Sequence, residues 1–201
     1  AKLPQLAKTH GEATAIEMMR EAGQATDNLF ALVEEEQIRC NLVRCGRLLA
    51  AVAPAHYESL GKQLDLLSRK IGTEGEMLPR SEQRREIGTD YYHGLMVMRG
   101  TGTLHPGLYH QGMLERTATA GAAIHARTPV TGIEETSDGV RLTTPRGTIL
   151  ARDVVLATNG HTGPVTPWLR RRVISFDAAV IVTEPLPEGL MNKLLPNRGA
   201  M

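Results

Sequence analysis

At Ala122 the sequence changes its period. Before it, apolar residues recur at helical spacing over long stretches; after it, they gather into short runs punctuated by turn residues. Ile16, Met19, Ala25, Leu29, Phe30 and Val33 mark a helix over residues 12–36, finished on the solvent side by Glu34-Glu35-Glu36. Gly46 opens a strand over 47–52. Pro54 sits where a first helical turn accepts proline, and Tyr57, Leu60, Leu64, Leu67 and Ile71 form the stripe of a second helix. Ser81 is expected to cap a short helix ending at Ile87, residues 93–98 read as a strand, and Gly107–Ala120 as a helix stopped by Gly121.

Beyond Ala122 the expected strands are 130–134, 140–143, 148–151 and 154–157, separated by Ser137-Asp138-Gly139, Pro145-Arg146-Gly147 and Arg152-Asp153. The first three make a small antiparallel meander. The fourth, Val154-Val155-Leu156-Ala157, is apolar throughout, which suits a strand buried on both faces in a parallel sheet behind the meander. A further strand over 173–183 follows Trp168 and the basic run Arg170-Arg171-Arg172. The class is α/β (α+β), in two interleaved parts, with no internal repeat.

Charge and composition exclude several functions. The 23 Lys and Arg residues almost cancel the 22 Asp and Glu residues, so the net charge of +1 does not suit a dedicated nucleic-acid binder. Aromatic residues are only 3%, too few for a base-stacking platform. The longest apolar runs are far too short to span a bilayer, which argues against a membrane protein. Cys40 and Cys45 are spaced unlike a redox pair or a zinc knuckle and read as two reduced thiols, hence a cytoplasmic protein. The first ten residues carry no signal-peptide core. The chain lacks an initiator Met and closes at Met201 with no terminal element, so both ends are expected to be cut.

Asp153–Gly160 is the most informative stretch. A buried strand that ends in small residues is where open α/β sheets bring ligands against the main chain; the plainer reading is an apolar strand followed by an Asn-Gly turn. Gly100-Thr101-Gly102-Thr103-Leu104-His105 lies between a strand and a helix, as a dinucleotide-binding loop does, but His105 replaces the third glycine and Pro106 follows, so it reads as a connector. The seven histidines make no metal pattern, and there is neither a G-x-S-x-G elbow nor a P-loop.

Three blocks, in this order, carry a family resemblance. The first is Gly102-Thr-Leu-His-Pro-Gly-Leu-Tyr-His-Gln-Gly-Met-Leu, leading through Ala120-Gly121-Ala122 to Ile124-His125. The second is Val130-Thr-Gly-Ile-Glu with Asp138-Gly139-Val140. The third is Val154-Val-Leu-Ala-Thr-Asn-Gly-His-Thr-Gly with Pro167-Trp168-Leu169 and a tail ending Thr183-Glu184-Pro185-Leu186-Pro187. Together they resemble the FAD-dependent oxidoreductases of D-amino-acid oxidase type, most of all the gamma-glutamylputrescine oxidase branch.

The resemblance implies an incomplete FAD-binding Rossmann-like domain with an antiparallel meander, interleaved with part of a mixed-sheet substrate domain. It places 1–37 and 105–164 in the cofactor domain and 38–104 and 165–201 in the substrate domain. Val130 matches the strand residue that meets the adenine. Ala157, Thr158, Asn159 and Gly160 match the turn that approaches the pyrophosphate and flavin, with Asn159 standing where many members have Gly. The implied reaction is hydride transfer from the carbon next to an amine to FAD, with oxygen as acceptor and a small-molecule amine as substrate. No catalytic acid or base is implied.

The family's N-terminal G-x-G-x-x-G unit and its closing carboxyl-terminal part have no counterpart here. The chain is therefore expected to bind FAD weakly or not at all and to be inactive alone. Three readings stand: a fragment of such an oxidase, a non-catalytic binding or interaction module derived from one, and a subunit that completes its site with a partner chain. Open strand edges are expected to drive self-association in each.

Overall fold

The computed structural model describes residues 3–176 and 179–200. They fall into two compact units, one of residues up to Gly121 together with those from Glu184 onward, the other of Ala122–Thr183.

In the first unit, α1 (Leu3–His10) and α2 (Glu12–Glu35) meet at Gly11. The sequence suggests no element before residue 12, yet Leu3 is buried against Ala15 of α2 and Leu67 of the next helix. That contact between elements, not local spacing, accounts for α1. The helix α3 (Pro54–Ile71) starts on proline, whose missing N–H is no loss in a first turn, and ends at Gly72, whose N–H reaches the Ser68 carbonyl at 3.0 Å. Lys70 Nζ lies 2.6 Å from the Glu12 carboxylate, and its hydrogen bond and charge hold that carboxyl below its usual range.

Strands β1 (Arg47–Ala50), β2 (Gly75–Pro79) and β3 (Gly94–Met98) form an antiparallel sheet in the order β1-β3-β2, with Leu49 and Met77 both opposite Met96. β3 is covered on both faces. Leu95 and Val97 pack with Leu48, Leu78 and Ile87, while Met96 packs with Leu60 and Leu64 of α3. An unbroken apolar run follows from that position, since neither face can be polar. Leu95, Met96 and Val97 are wholly buried, and each such side chain contributes on the order of 1.5–3 kcal/mol.

A 3-10 helix, Arg80–Arg85, packs against β2 and β3. It corrects the expectation of a helix capped by Ser81: Pro79 precedes it and no side chain caps it. Arg84 forks the Asp90 carboxylate, its Nε donating to Oδ1 at 2.8 Å, and Arg80 Nη2 donates to the Asp90 carbonyl at 3.0 Å. Val33 of α2, with Ile38 and Cys40 just beyond its end, packs onto Tyr109 and Met113 of α4 (Pro106–Thr119). Cys40 and Cys45 are both buried and unbridged. The helix Glu188–Leu194 and the residues after it return to this unit: Gly88 N donates to the Leu194 carbonyl at 2.8 Å. Ala200 lies parallel to Arg47 at the open edge of β1, accepting from Leu48 N at 2.6 Å and donating to the Gly46 carbonyl at 3.0 Å.

The second unit holds the meander β4 (Gly132–Thr136), β5 (Gly139–Thr144) and β6 (Gly147–Ala151), antiparallel in that order. Both hairpins use the same device. Thr136 and Gly139 pair across Ser137-Asp138, Thr144 and Gly147 across Pro145-Arg146. Each glycine has a strongly positive φ (140° and 138°), and each threonine hydroxyl donates to the glycine carbonyl, at 3.1 and 2.8 Å.

Two expected strands are corrected. Val154–Ala157 belongs to no strand, and no parallel sheet occurs among the described residues. Val155, expected to be buried on both faces, is 88% exposed. A strand is a pairing, and no described strand lies beside this segment to take its N–H and C=O groups. The same reason applies to 173–183, where residues 177 and 178 lie outside the described residues. The others form no strand, and Ile174, Phe176, Val180, Ile181 and Val182 are all exposed.

Candidate cofactor site

The turn singled out in the sequence follows residues 154–157. A single 3-10 turn, Asn159–His161, carries it. Asn159 has φ 45°, in the left-handed region that asparagine tolerates better than other non-glycine residues. An asparagine can therefore stand where glycine would otherwise be needed. The hydroxyls of Thr158 and Thr162 lie 2.9 Å apart, and Thr162 Oγ1 donates to the Asn159 carbonyl at 2.6 Å. Ser175 Oγ donates to the Gly160 carbonyl at 2.8 Å. Side-chain hydroxyls thus fix the turn from within and from fifteen residues onward.

Ala157, Thr158, Asn159 and Gly160 are all exposed, and their side chains are small. Val130 is half-buried and lies just before the meander. Its neighbour Thr131 makes the first link to β5, with N–H and hydroxyl both donating to the Thr143 carbonyl at 2.8 and 3.2 Å. The turn residues form one continuous surface; Val130 stands on a different segment of the same unit. Thr162 and Ser175 are functional candidates that residue patterns did not single out. The i, i+4 spacing of Thr158 and Thr162 is the one local signal that could have found the first. Ser175 has none.

The glycine-containing connector is structural. Val43 and Thr103 pair across it, and Gly46 N donates to the Thr101 carbonyl at 2.9 Å. Gly102 is forced by crowding: a Cβ there would stand 2.3 Å from the Val43 carbonyl and 2.7 Å from the Phe30 ring. The helix after it offers no free first turn to an anion. Pro106 has no N–H, and His105 Nδ1 accepts from Leu108 N at 3.2 Å. Among the described residues no group of His, Cys, Asp or Glu is placed to hold a metal ion. Arg172 lies over the Trp168 ring at 3.8 Å and donates to its carbonyl at 2.9 Å, so the last residue of the basic run is engaged locally.

A family model described as FAD dependent oxidoreductase, of the DAO group, matches residues 4–200. The chain belongs to the FAD-dependent oxidoreductase family. Among curated members of the family it is 29% identical over 180 residues to gamma-glutamylputrescine oxidoreductase of Escherichia coli K12, covering 89% of this chain and 41% of that protein. It is 22% identical to the probable oxidoreductase OrdL of Haemophilus influenzae, covering 94% of this chain and 45% of the other. The chain thus spans less than half the length of these relatives. Its fold is that of glycine oxidase from Geobacillus kaustophilus (TM-score 0.66, 24% identity, 73% of this chain and 41% of that one). L-proline dehydrogenase from P. horikoshii shares it as well (TM-score 0.62, 16% identity, 70% of this chain and 38% of that one).

The family's cofactor is FAD, a flat ring system joined to an adenine through a diphosphate. The exposed turn of small residues fits the close approach of a flat group. The diphosphate is a different matter, because its charge calls for a helix start with free N–H groups. The helix that follows the glycine-containing connector is closed by Pro106 and by the imidazole of His105. The turn 157–160 has the small, exposed side chains that a flat group requires, whereas the start of α4 is not an open anion site. No helix among the described residues is long and apolar enough to cross a membrane.

Proposed function

We propose that this chain is part of an oxidoreductase that takes a hydride from the carbon next to the nitrogen of an amine or amino acid. In that reaction FAD, when bound, accepts the hydride, and dioxygen is the final acceptor. The family match over residues 4–200 carries this reading, and the likeness to gamma-glutamylputrescine oxidoreductase favours a polyamine-type amine. The role of the chain's own residues is to bind and orient. Ala157, Thr158, Asn159 and Gly160 bring their backbone against the cofactor, held in shape by Thr162 and Ser175. Val130 meets the adenine. The sheet β1-β3-β2 belongs to the part that shapes the substrate side. The two free, buried cysteines favour a cytoplasmic location.

Coverage of less than half of each relative supports a further point: the 201 residues alone bind FAD weakly or not at all and are inactive. The test has two arms. The coding frame upstream of Ala1 is expected to encode G-x-G-x-x-G after a strand, and the longer product to purify yellow and form peroxide when given amines in air. The isolated chain, titrated with FAD, is expected to show no stoichiometric flavin absorbance. A complete gene product ending at Met201 that folds without flavin overturns the enzyme reading in favour of a non-catalytic module. Stoichiometric flavin on the isolated chain overturns the binding prediction.

A further inference from the structure

The chain leaves α2 through a segment that backbone hydrogen bonds hold at both ends. Gln37 N donates to the Glu34 carbonyl at 3.1 Å and Ile38 N to the Val33 carbonyl at 2.9 Å. Cys40 N donates to the Ile38 carbonyl at 3.0 Å, and the Cys40 carbonyl accepts from His105 N at 2.7 Å. Gln37 and Asn41 both have φ 52°, a left-handed backbone that a non-glycine residue keeps only where its surroundings fix it. Ile38 and Cys40 are buried, whereas Gln37, Arg39 and Asn41 are exposed. The segment thus gives its apolar side chains to the core and keeps its polar ones outside.

Helix α4 comes against the same segment. Tyr109, Gly112, Met113 and Arg116 recur at helical spacing and so lie on one face. Tyr109 and Met113 pack with Ile38 and Cys40, and a Cβ on Gly112 would stand 2.4 Å from Ile38 Cγ2. That packed face ends on an arginine instead of another apolar residue. Arg116 and Arg39, with Glu34, Gln37 and Asn41, line one cavity of about 790 Å³, the size of a small-molecule site. Two guanidiniums against the single carboxylate of Glu34 leave its lining net positive. Elsewhere in the first unit, arginine side chains are engaged: Arg20, Arg44, Arg69, Arg80, Arg84, Arg85, Arg99 and Arg198 all bond to protein groups. Among the described residues of this unit, only Arg39, Arg47 and Arg116 have guanidiniums with neither a hydrogen bond nor an ion pair. Two of those three share the cavity.

We propose that Arg39 and Arg116 form a binding site for a small organic oxyanion, a carboxylate or a phosphate ester, whose polar body meets the amides of Gln37 and Asn41. A guanidinium presents paired N–H donors that match the oxygens of either group. The fixed backbone of 37–41 and the close seat of α4 at Gly112 hold the two arginines on one lining before any ligand arrives. The site lies wholly within the first unit, and the inference does not rest on the cofactor reading.

Equilibrium dialysis of the 201-residue chain against citrate and against inorganic phosphate, at one fixed chloride concentration, tests it. Saturable binding is expected; binding of citrate alone identifies a carboxylate site, and of phosphate alone a phosphate site. Arg39→Gln and Arg116→Gln should each weaken binding about tenfold, the loss of a charge-assisted hydrogen bond. Arg47→Gln removes the third unengaged guanidinium, which lies off this lining, and should leave binding unchanged. All three side chains are exposed, so the variants should fold as the unaltered chain does, which circular dichroism checks. The proposal is overturned if neither anion binds saturably, or if Arg39→Gln and Arg116→Gln bind as the unaltered chain does. An equal loss in Arg47→Gln overturns it too, since that marks a general attraction to basic surface.

Discussion

His105 shows how one side chain can settle two questions. Its Nδ1 accepts from Leu108 N, so the imidazole does for α4 what a serine or asparagine does at other helix starts, and it also fills the place where an anion would sit. His105→Ala should cost about 0.5–2 kcal/mol in a urea unfolding measurement, while His105→Asn, a strong cap, should restore most of the loss. Equal losses for the two would remove the capping role. Asp90 offers a test by pH. Its hydrogen bond to Arg84 holds its carboxyl below the usual aspartate range. A carboxyl depressed on folding lends stability above its unfolded value and gives it up as pH falls through the folded one. An NMR titration should therefore show Asp90 staying ionised below the point where free aspartates protonate, and moving toward the ordinary value in Arg84→Met, where the charge of Arg80 remains. Asn159 marks what can be read at this scale. The Asn-Gly turn is plain in the sequence, but the left-handed backbone of Asn159 and the hydrogen bond from Ser175 to the Gly160 carbonyl depend on a chain path that spacing does not reveal.

At the scale of elements, legibility followed locality. Helices α2 and α3 and the three meander strands were readable because their apolar spacing and turn residues lie within a few positions of one another. Residues 154–157 and 95–98 have the same apolar signature and opposite outcomes. β3 has a strand on each side and a covered face above and below, whereas 154–157 has no strand beside it among the described residues. An apolar run states a capacity for burial, and its neighbours decide whether that capacity is used. Substitution should separate the two runs. Met96→Ala should cost about 2–5 kcal/mol, as for large core truncations, and Val155→Ala, at an exposed position, less than about 0.5 kcal/mol in the isolated chain. Similar losses at both positions would mean that 154–157 is buried in solution.

For the whole molecule, exposed apolar chain is the dominant fact. Ile174, Phe176, Val180, Ile181 and Val182 are between 76% and 94% exposed, and the net charge of +1 provides little mutual repulsion between copies. The isolated chain should therefore self-associate in a concentration-dependent way, visible by light scattering, and replacing Val180 and Ile181 with lysine should weaken the association. A strictly monomeric species at high concentration would count against it. The family assignment itself was legible because three blocks kept their order. The first boundary of the two compact units, at Gly121, coincides with the change of period at Ala122; the return at Glu184 was not legible, since it depends on contacts that no window of sequence contains.

The pairing of Ala200 with Arg47 has a kinetic consequence. One edge of the first unit's sheet is covered by a residue that leaves the ribosome well after the strand it covers, the entire meander having been made in between. Contacts between residues so distant along the chain are the slowest to form, because a very large loop must close before they are rewarded. Until then the outer groups of β1 are open to any other strand. The order of synthesis thus gives this sheet a waiting period, and chaperone dependence during translation should be read at β1 before anywhere else.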